Sequence, residues 1–149
     1  MIGRFATGVA VVTTRLDGVD HAMTVNSLTS VSLDPLLVLF CADRRARFHD
    51  AVLRAGVWGV SVLPASMEEA SRFCAHRGRP LDGHLSRWAH HRGASGVVLF
   101  DDALATVVAE TTDTHPGGDH TIVVGAVVSL ATPSDGAPLI YHDAAYRTL

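Results

Sequence analysis

The hydrophobic pattern of the chain consists of short apolar runs bounded by Gly, Pro or Asp. The runs are rich in β-branched residues, and such runs between turn residues are typical of β-strands. About eight strands are predicted on this basis. They are Val9–Thr14, Ala22–Leu28, Leu36–Cys41, Val57–Leu63, Val97–Phe100, Leu104–Thr112, Thr121–Ala131 and Leu139–Tyr141.

The longest run, Thr121–Ala131, alternates with the two-residue period of a strand. The positions between its apolar residues are also uncharged, so both faces are expected to be covered, as in a barrel strand packed on a partner. The predicted apolar face consists of Ile122, Val124, Ala126, Val128 and Leu130.

Two segments show helical spacing instead. Phe48, Val52 and Leu53 recur at helical intervals between residues 42 and 55, and a second helix is predicted over Ala65–Ala75, where Ser66 precedes Glu69 by three residues in a capping-box pattern.

The Gly-, Arg- and His-rich stretch Arg77–Gly96 is predicted to be a long excursion with one helical turn near Leu85–His90. Long crossover helices do not alternate with the strands, so a mainly antiparallel barrel in a single domain, residues 1–149, is expected.

The composition narrows the function classes. The net charge of −3 argues against nucleic-acid binding, which needs a basic stripe on the surface. All twelve basic residues are arginine, so a catalytic Schiff-base lysine and a lysine-bearing P-loop are excluded. Only 18% of residues are charged, which an oligomer interface would explain. Cys41 and Cys74 show no disulfide or CxxC pattern, and no apolar stretch is long enough to span a membrane. A soluble cytoplasmic protein is expected.

A hydroxyl- and amide-rich run lies between two apolar strands, where such groups cost about 1–3 kcal/mol if they are buried without a partner. A flavin would supply partners, since its ring presents carbonyls and nitrogens and its tail carries a phosphate. Arginines 44, 45 and 47 could face that phosphate. The alternative is a half-exposed strand with its hydroxyls toward water. The run includes Asn26, Ser27, Thr29, Ser30 and Ser32.

The turn Gly117–Gly118–Asp119 delivers His120 to the start of a long strand, where the imidazole could serve an exposed pocket. The alternative is an ordinary hairpin turn with a solvent-facing histidine. Zinc-type residues also cluster within eighteen positions, but their spacing matches no compact motif, so no metal site is predicted. These residues are Cys74, His76, His84, His90 and His91.

Taken together, these segments resemble the flavin reductase family of the FMN-binding split-barrel fold, the small reductase components of two-component flavin monooxygenases. The resemblance runs nearly end to end. The stretches that carry it are Phe5–Thr14, Met23–Pro35, Gly118–Gly125 and Pro138–Tyr141 with Tyr146.

This resemblance implies a mainly β, Greek-key-like split β-barrel with short helical insertions. It also implies reduction of FMN or FAD by NADH or NADPH, a homodimer with the flavin near the subunit interface, and delivery of reduced flavin to a separate oxygenase. His120 would face the nicotinamide. The flavin would be lined by Thr24, Asn26, Ser27, Leu28, Thr29, Ser30, Val31 and Ser32, and its phosphate approached by Arg45, Ala46, Arg47 and Phe48.

The chain departs from the family pattern where Ala46 and Phe48 replace a serine and a threonine, which removes two hydroxyl donors. Modest phosphate affinity is therefore expected, as suits a flavin that diffuses away. Two alternatives remain open: a flavin carrier without efficient nicotinamide turnover, in which the His120 side is blocked, and a barrel without cofactor.

Overall fold

The computed structural model describes residues 1–149, and antiparallel strands form most of it. Two helices interrupt the strands: α1 (Arg47–Ala55) and α2 (Glu68–Ala75). The strands are β1 (Thr7–Gly8), β2 (Ala10–Leu16), β3 (Val19–Val25), β4 (Thr29–Leu33), β5 (Leu36–Asp43), β6 (Val57–Val62), β7 (His90–Arg92), β8 (Val98–Phe100), β9 (Ala105–Gly117), β10 (His120–Ala131), β11 (Leu139–His142) and β12 (Ala145–Thr148).

Seven strands form the main sheet in the order β3-β2-β6-β9-β10-β5-β4. The edge strands β3 and β4 do not pair with each other, so the barrel stays split. Smaller sheets are formed by β1, β11 and β12 and by β7 with β8. The mainly β, split-barrel fold with short helical insertions that the sequence predicts is confirmed.

Strand β2 is buried on both faces, because successive side chains of a strand point to opposite sides. Ala10 and Val12 join a cluster around Phe40 and Trp58, covered by α1. Val11 joins a second cluster, which includes residues of α2. The Trp58 ring is fully buried and packs edge-on against Phe40 at 4.8 Å between centroids. The two helices therefore cover opposite faces of the sheet.

The hairpin of β9 and β10 is the longest pairing in the molecule, and its register shifts twice, between Val124 and Gly125 and between Val127 and Ser129. The predicted apolar face of β10 is not its deepest one. Thr121, Val123 and Gly125 are buried, whereas Ile122, Val124 and Ala126 are half-buried and Val128 and Leu130 are exposed.

Four strands escaped the sequence pattern: the short strands β1 and β7, and the longer strands β4 and β12. Strand β4 is polar and mostly exposed, because it lies at a sheet edge where only one side is paired. Strand β12 pairs only with β11 and is at most half-buried. Neither shows the buried apolar face on which the pattern depends.

Two local predictions differ from the structure. The helical turn predicted near Leu85–His90 is displaced towards the N-terminus: hydrogen-bonded turns lie at 82–87, the last of them closed by the Trp88 N–H and the Leu85 carbonyl, and His90 starts β7. The capping box also fails: Ser66 lies within a 3₁₀ turn, Ala65–Met67, and α2 begins only at Glu68 with no side-chain cap. A cap must directly precede the first helical residue, and Ser66 does not.

None of the helices has the length and apolar character needed to cross a membrane.

Candidate active site

A cavity of about 570 Å³ opens between β3, the end of β5, the start of α1 and the segment that follows α2. It collects most of the predicted site residues from three separate parts of the chain. Those that line it are Thr24, Asn26, Ser27, Arg45, Ala46, Arg47, Phe48 and His120.

The second half of the predicted flavin-binding run does not line this cavity. Leu28 packs against the core cluster around Trp58. The remaining residues lie on β4 at the sheet edge, where Thr29, Ser30 and Val31 are exposed and Ser32 is half-buried. The structure therefore divides the run at Ser27.

The hydroxyl groups near the cavity are satisfied by the protein itself. The Ser27 hydroxyl accepts a hydrogen bond from the backbone N–H of Cys41 at 3.0 Å, and the Thr24 hydroxyl donates to the carbonyl of Ser71 at 2.6 Å. Asn26 is exposed and open to a ligand. The premise that the run is buried and needs a ligand was therefore wrong, because Thr24 and Ser27 are partnered, Asn26, Thr29 and Ser30 are exposed, and Ser32 is half-buried.

The first turn of α1 points an anion-binding feature at the cavity. Ala46 is its N-cap and has no side-chain acceptor, so the N–H groups of the first turn are left without a side-chain partner. Such N–H groups and the helix dipole favour a negatively charged ligand. The Phe48 ring is buried against Phe40, so at this position only the backbone can meet a ligand.

Positive charge dominates the cavity. Four guanidinium groups and one carboxylate, that of Asp43, line it, which leaves a net formal charge of +3 with the histidines neutral. Arg45 bonds that carboxylate through its side chain and its backbone N–H, and Arg77 does so at 2.6 Å. The hydrogen bonds from Arg45, with the nearby arginine charges, hold the pKa of Asp43 far below its usual range. The other two arginines are Arg47 and Arg79.

His120 lies at the mouth of the cavity, directly across from Asp43 in the pairing of β10 with β5. Its Nδ1–H donates to the Asp119 carboxylate at 2.7 Å, and this hydrogen bond lowers the pKa of Asp119. Asp119 therefore orients the ring, and the side chain remains 40% exposed. A partly exposed imidazole with a fixed orientation is suited to contact a second ligand at the cavity mouth.

One wall of the cavity was missed by sequence reasoning. It is formed by the end of α2 and by the start of the stretch that the sequence predicts to be a long excursion, Arg77–Gly96. The available clue was the arginine pair around a glycine, Arg77–Gly78–Arg79, which matches the anionic ligand expected elsewhere. The residues of this wall are Cys74, Ala75, His76, Arg77, Gly78, Arg79 and Leu81.

His21 and Cys74 also line the cavity without having been predicted to do so. Burial lowers the pKa of His21, and the Arg47 charge lowers it further, so its imidazole is neutral at pH 7. Burial raises the pKa of the Cys74 thiol to about 11. At neutral pH, therefore, neither side chain adds charge to the cavity. No three His, Cys, Asp or Glu side chains come close enough together to hold a metal ion.

Known proteins resemble this chain in sequence and in fold. The family model described as "Flavin reductase like domain" matches residues 2–149. The NADH-dependent FMN reductase AsuE2 of Streptomyces nodosus subsp. asukaensis is 41% identical over 150 residues, which cover 99% of this chain and 81% of that protein.

Two solved structures are similar throughout. BorF, the flavin reductase component of a bacterial two-component tryptophan halogenase, has a TM-score of 0.94 and 40% identity, covering 99% of this chain and 93% of that one. The NADH:FAD oxidoreductase SgcE6 of Streptomyces globisporus, solved with NAD and FAD fragments, has a TM-score of 0.91 and 33% identity, covering 98% and 87%. The chain therefore belongs to the flavin reductase family.

Proposed function

We propose that this chain, as one domain, catalyses the reduction of FMN or FAD by NADH or NADPH. The observation that carries the proposal is the cavity, in which an arginine cluster and a helix N-terminus adjoin a wall of β3 residues, with His120 at the mouth. A nucleotide-type cofactor with a phosphate needs this combination of a cationic end and a neutral lining.

The residues present fit such a cofactor. The N–H groups at the start of α1 that lack a side-chain cap, together with Arg45, Arg47 and Arg77, would hold the phosphate. Asn26 and the unpaired edge of β3 would line the ring. When bound, the flavin supplies the hydride-accepting ring of the reaction.

His120 would position the nicotinamide against that ring. Holding two reactants in the correct geometry removes much of the entropic cost of their encounter. The Asp119 carboxylate fixes the imidazole orientation, and a protonated ring would add positive potential at the cavity mouth. No proton exchange by His120 is required, because hydride transfer moves none.

Reduced flavin would then leave for a separate oxygenase. Two observations support a diffusible cofactor. The cap of α1 lacks a hydroxyl donor, and the side chains of Arg45 and Arg77 are 68% and 61% exposed, so phosphate contacts are weakened by solvent. BorF, a structural relative, is itself the reductase component of a two-component enzyme.

The protein is proposed to act as a homodimer through the β4 edge. Strand β4 has one unpaired side, and an unpaired edge readily accepts a second chain. Val31, Leu33, Val128 and Leu130 are exposed apolar residues on β4 and β10, and Leu33 is 85% exposed. Burial of this surface would place the predicted residues Thr29–Ser32 at the interface, where they could meet a flavin bound between subunits.

Light scattering on the purified protein tests the dimer. Leu33→Asp is expected to give a folded monomer, whereas Val19→Asp, at an exposed apolar position on the opposite sheet edge, leaves the dimer intact. A wild-type monomer would contradict the proposal.

The two free cysteines support a reducing cytoplasm as the location of the protein.

The activity is tested by following NADH and NADPH oxidation with and without added FMN or FAD. Turnover that depends on added flavin is expected, and the four combinations rank both substrates. Flavin binding without turnover would favour the carrier, and the absence of both would refute the flavin assignment.

A further inference from the structure

Arg79 differs from the other arginines of the cavity because the protein uses its donors internally. Nη1 donates to the carbonyls of Cys74 at 3.2 Å and His76 at 2.8 Å, Nη2 donates to the carbonyl of Ala22, and Nε donates to Nδ1 of His84 at 3.3 Å. Four of the five N–H groups of a guanidinium are therefore occupied. Arg79 is consequently a poor candidate for direct contact with a phosphate.

The acceptors of Arg79 belong to different walls of the cavity. Cys74 and His76 lie at the C-terminal end of α2, where carbonyls lack helical partners and a positive charge is favourable. Ala22 lies on β3, 57 positions away in the sequence. The carbonyl of Arg79 itself accepts a hydrogen bond from Arg47, the first residue of α1, at 2.7 Å. One residue thus joins α2, β3 and α1 around the cavity.

The arrangement also requires a particular form of His84. Nε2 lies 3.0 Å from the carbonyl of Asp20, which can only accept, so Nε2 carries the hydrogen. Nδ1 must then be unprotonated to accept the hydrogen bond from Arg79. His84 is 7% exposed, and burial lowers its pKa, in keeping with a neutral ring. A proton on Nδ1 would place two N–H groups against each other.

The groups facing His84 are few. They are the guanidinium of Arg79, the backbone and carboxylate of Asp20, the imidazole of His21 and the ring of Phe73, whose centroid lies 6.3 Å away. The Asp20 carboxylate is already bonded by Arg15 at 2.9 Å and Arg92 at 2.8 Å. It is therefore not free to compensate a second proton on His84.

We propose that Arg79 and His84 are positioning residues that hold the 74–79 wall of the cavity in its flavin-binding geometry, with Arg79 acting as the connector and His84 as its acceptor. This inference rests on the proposed flavin reductase function. The pair acts on flavin affinity through the wall and does not touch the reacting atoms.

Arg79→Lys tests the connector. The lysine ammonium keeps the charge but lacks the planar set of donors with which the guanidinium reaches all of the carbonyls. The matched control is Arg87→Lys. Arg87 also stacks on Phe73, at 5.1 Å from the centroid compared with 5.6 Å for Arg79, but pairs with Glu69 on the surface. Arg79→Lys is expected to raise the KM for FMN about tenfold, equivalent to about 1.4 kcal/mol, with kcat at saturating FMN within about twofold. Arg87→Lys is expected to leave both constants unchanged.

The pH dependence tests the acceptor. The contact exists while His84 is neutral and is lost as the pH falls through its lowered pKa, so the wild-type KM for FMN is expected to rise in acid. His84→Asn keeps an acceptor near the position of Nδ1 but does not titrate. As the pH is lowered, the KM of the wild type should rise more than the KM of His84→Asn. This difference reports the loss of the contact between Arg79 and His84, because titration of the FMN phosphate and of His21 affects both proteins equally.

An equal KM for Arg79→Lys and Arg87→Lys would overturn the proposal, as would parallel pH profiles for wild type and His84→Asn. A fall in kcat and in thermal stability with unchanged KM would assign Arg79 a purely structural role. If Arg79→Lys fails to fold, the His84→Asn profile decides. Failure of the wild-type protein to bind FMN at all would instead refute the proposed function.

Discussion

Arg47→Gln removes one positive charge from the cavity and is expected to weaken binding of the flavin phosphate. Arg47 is the first residue of α1, and one of its Nη atoms is used in the hydrogen bond to the carbonyl of Arg79. The rest of its guanidinium remains available at the helix N-terminus, where backbone N–H groups converge.

The expected magnitude follows from the exposure of the site. Two charges about 4 Å apart interact by about 1 kcal/mol in water and about 4 kcal/mol in a medium like a protein surface. Arg47 is exposed, so we expect a value near the lower limit, about 1–2 kcal/mol, or a five- to thirtyfold rise in the KM for FMN. The effect should shrink at high salt.

Riboflavin provides the decisive comparison, because it has the same ring as FMN without the phosphate. Arg47→Gln should raise the KM for FMN and leave that for riboflavin unchanged, measured through NADH oxidation. Arg54→Gln is the matched control, since Arg54 lies at the other end of α1 and pairs only with Asp17, at 3.8 Å. An equal rise for both flavins would refute the reasoning and attribute the effect to a displaced cavity wall.

Further outcomes follow from the same geometry. His120→Ala should slow flavin reduction by NADH at saturating flavin, and an unchanged rate would remove the imidazole from the mechanism. Gly125→Ala should cost about 1–3 kcal/mol of unfolding free energy, because its Cβ would lie 2.5 Å from the buried Trp58 ring, whereas Gly8→Ala meets nothing within 4 Å and serves as control in thermal melts. The Asp43 carboxylate should stay ionised at pH 4 in an NMR titration; because its pKa is depressed, its ion pairs are lost only as the pH falls further, and a midpoint near 4 would contradict this.

The sequence predicted the parts of this fold that depend on local periodicity. Strands such as β2 and β6 show continuous apolar runs because both of their faces are buried, and α1 shows its core face through Phe48 and Val52. The deeper face of β10 could not be predicted in the same way, since both faces are apolar. That choice depends on Trp58, which packs against Gly125 from another strand.

The candidate site was predicted in part for a similar reason. Thr24 and His120 come from stretches that resemble a known family, Arg45 was added by what that resemblance implies, and all three line the cavity. The wall around Arg79 was missed because it depends on hydrogen bonds to distant residues such as Ala22, which no local pattern encodes. Residues Thr29–Ser32 were grouped with the cavity by their chemistry, and strand pairing places them at an edge of the sheet.

The register shifts in the β9–β10 hairpin determine where this protein can gain or lose residues during evolution. A single insertion within a regular strand exchanges the two faces of the strand. Between Thr121 and Val124, such an insertion would turn Val123 outward and change the direction of His120. At a bulge, an extra residue is absorbed as a local bend. Changes in length at Val127–Ser129 would therefore alter the exposed end of β10 while leaving the cavity mouth intact. The hairpin can therefore diversify at its open end, around Val128 and Leu130, without disturbing the turn end that carries His120.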